Sequence, residues 1–154
     1  MHRQFAFEAG SDCLPMSVKR KLDRLAIKIG RDQWLGMSSD EKTSISSLPA
    51  NRKDECETLR TFIDDALARR GLRATALTQT VAQLADPPRE VPAAVIESAR
   101  EVGFFMDQTR WSKLDDDQQY ALTKLLDPGK KRKRARALAE FLQDQPSFTQ
   151  HDRA

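Results

Sequence analysis

Residues 15–48 read PMSVKRKLDRLAIKIGRDQWLGMSSDEKTSISSL, and residues 92–125 read PAAVIESAREVGFFMDQTRWSKLDDDQQYALTKL. Shifted by 77 positions, the two align without a gap: Pro15 falls on Pro92, Val18 on Val95, Trp34 on Trp111, Asp40 on Asp117 and Leu48 on Leu125. Apolar positions match between these identities, as with Leu25 and Val102, Ile29 and Met106, or Ile45 and Leu122. Such self-similarity is the mark of one supersecondary unit written twice.

Each copy opens on a proline suited to a first helical turn, followed by apolar residues at helical spacing: Val18, Leu22 and Leu25, or Val95, Ala99 and Val102. The period then changes. Ile27-Lys28-Ile29 alternates and Phe104-Phe105-Met106 is an apolar triplet, so each predicts a brief extended segment. Two related copies could pair these segments across a pseudo-twofold axis. A turn carrying the tryptophan comes next, with Trp34 three residues before Met37 and Trp111 three before Leu114. Ser38-Ser39-Asp40-Glu41 is a capping box, and Asp115-Asp116-Asp117-Gln118 is a looser one. The capped helices bury Ile45 and Leu48, or Leu122, Leu125 and Leu126, and stop near Pro49 and Pro128.

A third helix follows in each copy. In the first, Asn51 starts it, Cys56, Leu59, Phe62, Ile63, Ala66 and Leu67 form its apolar stripe, and Gly71 caps it. In the second, Leu138, Phe141 and Leu142 correspond if two residues are inserted around Pro128-Gly129. Between the copies, Leu77, Val81 and Leu84 predict a short helix before Asp86-Pro87-Pro88. Residues 4–8 alternate apolar and polar and predict a short strand or arm. The expected fold is all-α, with at most very short strands. It is built of two tandem pseudo-symmetric helical repeats, 14–70 and 91–144, joined by a linker at 71–90 and packed as one domain over 1–154, with a flexible tail at 147–154.

The chain has 154 residues, 39% apolar and 32% charged, which is ample for a core. It has no apolar run near 18 residues, hence no expected membrane span. The first residues, MHRQFAFEAGSD, do not resemble a signal peptide, so the expected location is cytoplasmic. Cys13 and Cys56 are the only cysteines, too few for a disulfide framework or an all-thiolate zinc site. His2 and His151 are the only histidines and lie at the two ends, which opposes a triad, a histidine base or a two-histidine metal site. The expectation is a protein that is not an enzyme and carries no cofactor.

The net charge of +3 is uneven. Lys130, Lys131, Arg132, Lys133, Arg134 and Arg136 supply six positive charges, and removing them leaves the remainder at −3. This run is a candidate surface for nucleic acid or an acidic protein face. Like-charge repulsion and the helix dipole predict that it is solvated and that the first turn frays. It has no interleaved aromatic residue, so base stacking is not signalled. Cys13, before Leu14-Pro15 and near a helix N-terminus, is read either as a ligand donor or redox site, and so a candidate partner-binding residue, or as a small buried apolar residue. Trp34 and Trp111 are read as core plugs at the same place in each copy rather than binding anchors. Asp115-Asp116-Asp117 lacks calcium-loop spacing and is read as a cap.

Phe5, Phe7, Glu8 and Ala9, then Cys13, Pro15, Met16, Val18, Lys21, Leu22 and Asp23, then Ile27, Lys28 and Trp34, together resemble the opening of the nitrate reductase associated proteins, a family of small cyanobacterial-type proteins. Val95, Trp111, Leu114 and Asp127-Pro128-Gly129 extend the resemblance through most of the chain. The string C-x-P-M-x-V-x-x-K-L-D is its specific part. Where that family is similar in carrying further cysteines, this chain has Leu25 and Ala50. The resemblance implies a non-catalytic accessory protein of assimilatory nitrate reductase, assisting assembly, cofactor loading or activity by binding the reductase or its maturation machinery. The alternative is a small nucleic-acid-binding protein acting through residues 130–136.

Overall fold

Pro15 precedes the first helix because its fixed φ suits a helix start and its missing N–H is no loss there. In a computed structural model, which describes residues 4–9, 14–78 and 85–143, that helix is α1, Met16–Arg24. Among the described residues the fold is all-α apart from one two-stranded antiparallel ribbon. The chain divides into two compact units between Asp86 and Pro87.

In the first unit α1 is followed by β1 (Ile27–Lys28), α2 (Arg31–Leu35), α3 (Ser39–Ser47), α4 (Lys53–Ala68) and β2 (Thr75–Ala76). Val18, Leu22, Ile27, Trp34, Met37, Ile45, Leu59, Ile63 and Leu67 join one buried cluster. Burying each such large apolar side chain contributes about 1.5–3 kcal/mol. The expected strand at residues 4–8 is instead a 3-10 turn, Ala6–Glu8. The buried Glu8 carboxylate holds it, accepting from the Phe5 N–H at 3.0 Å and from the Met16 N–H at 2.6 Å. A carboxylate on the first N–H of α1 is favoured by the helix dipole. This bond needs the chain to turn back, which an extended arm would not do. The Phe5 and Phe7 rings stack 5.6 Å apart.

Gly71 has φ +69° and ends α4. The Leu72 N–H donates to the Leu67 carbonyl at 2.9 Å and the Gly71 N–H to Ala68 at 3.0 Å, a Schellman motif. The chain then forms β2 just ahead of Leu77, Val81 and Leu84, where a short helix was expected. Ile27 faces Ala76 and Lys28 faces Thr75 in the ribbon, and the Leu77 N–H donates to the Ala26 carbonyl at 2.8 Å. Val81 and Leu84 lie outside the described residues. The expected pairing of the segment at Ile27 with that at Phe104 therefore gives way to a partner in its own unit.

The second unit contains α5 (Ala93–Glu101), α6 (Gln108–Lys113), α7 (Asp116–Lys124), a 3-10 turn at Pro128–Lys130 and α8 (Lys131–Gln143). Helix α8 packs against α5 and α7. Val95, Ala99, Trp111, Tyr120, Leu122, Leu125, Leu138, Phe141 and Leu142 are buried. Helix bounds recur along the chain. Those of α5 lie 77 residues beyond those of α1 at both ends, and the same holds for α7 and α3. Ala26 and Gly103, again 77 apart, both take positive φ after the first helix of their unit. Phe104–Met106 forms no strand.

Candidate functional site

The basic run lies on the 3-10 turn and the start of α8. Pro128 fixes the turn, and the Asp127 carboxylate accepts from the Gly129 N–H at 3.0 Å. Helix α8 is formed from Lys131 onward, so the run is helical rather than frayed. Its apolar residues Ala137, Leu138, Phe141 and Leu142 face inward and supply the stability that six cations oppose.

The six cations do different things. Lys131, Arg132 and Arg136 are exposed. Arg132 and Arg136 are four apart, so they share one face of α8. Lys130, Lys133 and Arg134 are half-buried. The Arg134 guanidinium donates through Nη1 to the carbonyls of Leu125 at 2.8 Å and Asp127 at 3.3 Å. It thus satisfies the end of α7, where the final carbonyls have no helical partner. Arg134 therefore departs from the expectation of a solvated run, because one position in each helical turn faces the neighbouring helix.

The first unit solves the same problem with a different residue. Lys21 Nζ, from α1, donates to the carbonyls of Ile45 at 3.1 Å, Leu48 at 2.6 Å and Ser46 at the end of α3. Sequence reading placed Lys21 only within the family string. Within Lys19-Arg20-Lys21 nothing local sets Lys21 apart, and its role is visible only once α1 and α3 are side by side.

The capping boxes are formed as read. Ser38 Oγ accepts from the Glu41 N–H at 3.1 Å, and Glu41 Oε1 accepts from the Ser38 N–H at 2.8 Å. In the second unit, Asp115 and Gln118 make the equivalent exchange at 2.9 and 3.0 Å. Glu41 does more than its sequence context shows. Arg69 Nη2 donates to Oε2 at 2.8 Å, and Arg70 bridges both carboxylate oxygens. Arg70 foremost, with the Ser38 N–H, lowers the Glu41 carboxyl from 4.5 to about 2. The carboxylate in turn raises the Arg70 guanidinium.

The two tryptophans are both buried, at 6% exposure for Trp34 and 0% for Trp111. Lys42 Nζ sits 5.7 Å from the Trp34 ring centroid. Trp111 Nε1 donates to the Pro88 carbonyl at 3.0 Å, and Gln119 Nε2 holds the Trp111 carbonyl at 2.7 Å.

Cys13, His2 and His151 lie outside the described residues. Cys56 is half-buried on α4, with Sγ 3.5 Å from the Ala50 carbonyl. Leu25 and Ala50 are both buried as apolar core residues. Among the described residues, no group of three or more His, Cys, Asp or Glu side chains is placed to hold a metal ion. No helix there is long and apolar enough to cross a membrane. The exposed Lys131, Arg132 and Arg136 form a cationic face whose chemistry is recognition of anions.

A family model described as conserved nitrate reductase-associated protein matches residues 4–141. No curated protein and no solved structure matches the chain.

Proposed function

The chain belongs to the conserved nitrate reductase-associated protein family, and from that membership we propose that it is a non-catalytic accessory protein that binds a nitrate reductase polypeptide or the machinery that matures it. The match across residues 4–141 is the observation that carries this reading. It works in the cytoplasm, assisting assembly, cofactor loading or activity through surface complementarity, with no cofactor of its own. The exposed Lys131, Arg132 and Arg136 supply a cationic contact for an acidic face of that partner.

Affinity purification of the full chain from nitrate-grown cells tests the proposal. Nitrate reductase, or a protein needed to mature it, is expected to co-purify, and deletion of the gene is expected to lower nitrate reduction. Full nitrate reduction in the deletion strain defeats the reading. The rival reading, nucleic-acid binding through residues 130–136, predicts affinity for an oligonucleotide that falls steeply with salt.

The two units are read as duplicates of one ancestral segment. The 77-residue offset shared by helix bounds and by Ala26 and Gly103 supports this.

A further inference from the structure

Four large apolar side chains are exposed among the described residues, and two of them, Leu35 at 43% and Leu72 at 39%, belong to the first unit. They are 37 residues apart in sequence, yet the fold ties their segments together. Gln33 Nε2 donates to the Arg73 carbonyl at 3.0 Å, and Arg70 Nε donates to the Gly36 carbonyl at 2.9 Å. Segment 33–36 therefore lies along segment 70–73, and each holds an exposed leucine between the two tie points. On or beside the same segments stand exposed Arg31, Arg69 and Arg73, against Asp32, while the Arg70 guanidinium is already taken up by Glu41, Ala66 and Gly36. Glu41 offsets one of the charges on Arg69 and Arg70. The face combines two apolar side chains with a net positive rim.

We propose that this Leu35–Leu72 face is a docking site for an acidic, apolar segment of a partner protein. Carboxylates suit guanidinium forks, which bind them bidentately. The leucines then cover apolar side chains carried between those carboxylates. A second copy of this chain fits poorly, because a twofold contact would bring the arginines against each other. Nucleic acid fits poorly as well, because leucine offers no stacking face for a base. The surface lies wholly within the first unit.

The test uses the full chain and a fluorescein-labelled helical peptide with leucines four residues apart and glutamates between them, read by fluorescence anisotropy. The wild-type chain is expected to bind. The Leu35→Ser/Leu72→Ser double substitution, at exposed positions, is expected to weaken binding about tenfold or more. Arg73→Glu is expected to weaken it too, and to improve binding of a peptide with lysines in place of the glutamates. Unchanged affinity in the double variant overturns the proposal, and so does equal binding of the lysine peptide by the wild type. Two further results would overturn it: a dimer in sedimentation that the double variant abolishes, or an oligonucleotide that displaces the peptide. Should the double variant lose its helical circular dichroism, Arg73→Glu with the two peptides decides alone.

Discussion

Arg70 grips Glu41 through both carboxylate oxygens, although the two residues are 29 apart, Glu41 on α3 and Arg70 in the turn just past α4. The same guanidinium reaches the Ala66 carbonyl at 2.7 Å and the Gly36 carbonyl at 2.9 Å. One side chain thus joins the end of α4, the start of α3 and the turn after α2. A carboxylate already committed to a capping box becomes the place where three elements meet.

Stability should therefore depend on acid pH through Glu41. Its carboxyl titrates at about 2 in the folded chain against an ordinary 4.5. A depressed folded value means that the unfolded chain binds the proton first. The contribution is fully present above about pH 5, and it is lost as pH falls toward about 2. Glu41→Gln should lower Tm at neutral pH and show a flatter loss of stability across that acid window. Thermal unfolding of both proteins at a series of pH values measures this. Parallel curves would show that the ion pair contributes no pH dependence.

Lys21→Met should cost about 1–3 kcal/mol, because carbonyls at the end of α3 lose their donor while the aliphatic stem is kept. Urea unfolding with an unchanged slope is the measurement. Lys21→Arg should recover part of the loss.

Ala26 and Gly103 make a matched pair of backbone tests. Ala26 sits at φ +59° and Gly103 at φ +83°. A side chain in the left-handed region costs about 1–2 kcal/mol. Glycine recovers that cost less its own chain entropy of about 0.5–1 kcal/mol. Ala26→Gly should thus stabilise the chain by up to about 1 kcal/mol. Gly103→Ala should destabilise it by a similar amount. A Cβ at Gly103 would have nothing within 4 Å, so the effect there is of backbone alone. Denaturant midpoints of the two variants should move in opposite directions.

Much of this was legible locally. Pro15, the Ser38–Glu41 and Asp115–Gln118 boxes, and the stripe through Leu59 and Ile63 are signals within a few residues of each other, which is the range over which helix rules act. What escaped reading depends on distant chain. Ile27-Lys28 looked like a strand, but nothing in Thr75-Ala76 announces its partner, because a ribbon this short is set by backbone reach and not by an apolar pattern. Glu8 read as part of an alternating arm, since its target, the Met16 N–H, lies eight residues on. Cations read as one run proved unlike, because a helix turns each of them toward a different neighbour. Leu35 and Leu72 carry no sequence mark at all; only the ties at Gln33 and Arg70 bring their segments together.

Trp111 and Trp34 should respond differently to the same change. Trp111→Phe leaves the Pro88 carbonyl without its indole donor and opens space at a site with no exposure. The expected cost is about 1–3 kcal/mol. Trp34→Phe keeps a ring beneath Lys42 at a slightly exposed site and should cost less. Equal losses in urea unfolding would mean that the Pro88 bond adds nothing.

The cations of α8 separate structure from recognition. Arg134→Ala removes the donor to the Leu125 carbonyl and should destabilise the chain by about 1.5–3 kcal/mol, the usual range for a charged donor. Arg132→Ala/Arg136→Ala truncates exposed side chains on one face and should leave stability within about 0.5 kcal/mol of wild type. If that face contacts the nitrate reductase partner, the double variant should lose co-purification while keeping its Tm, and Arg134→Ala should lower Tm. The reverse pattern, with the exposed pair governing Tm and Arg134 silent, would mean that α8 is held by contacts other than those at the end of α7. All three arginines lie within one five-residue stretch, and the variant expected to keep its Tm is the one that loses two charges rather than one, so loss of charge does not explain that pattern; the direction in which each side chain leaves the helix does.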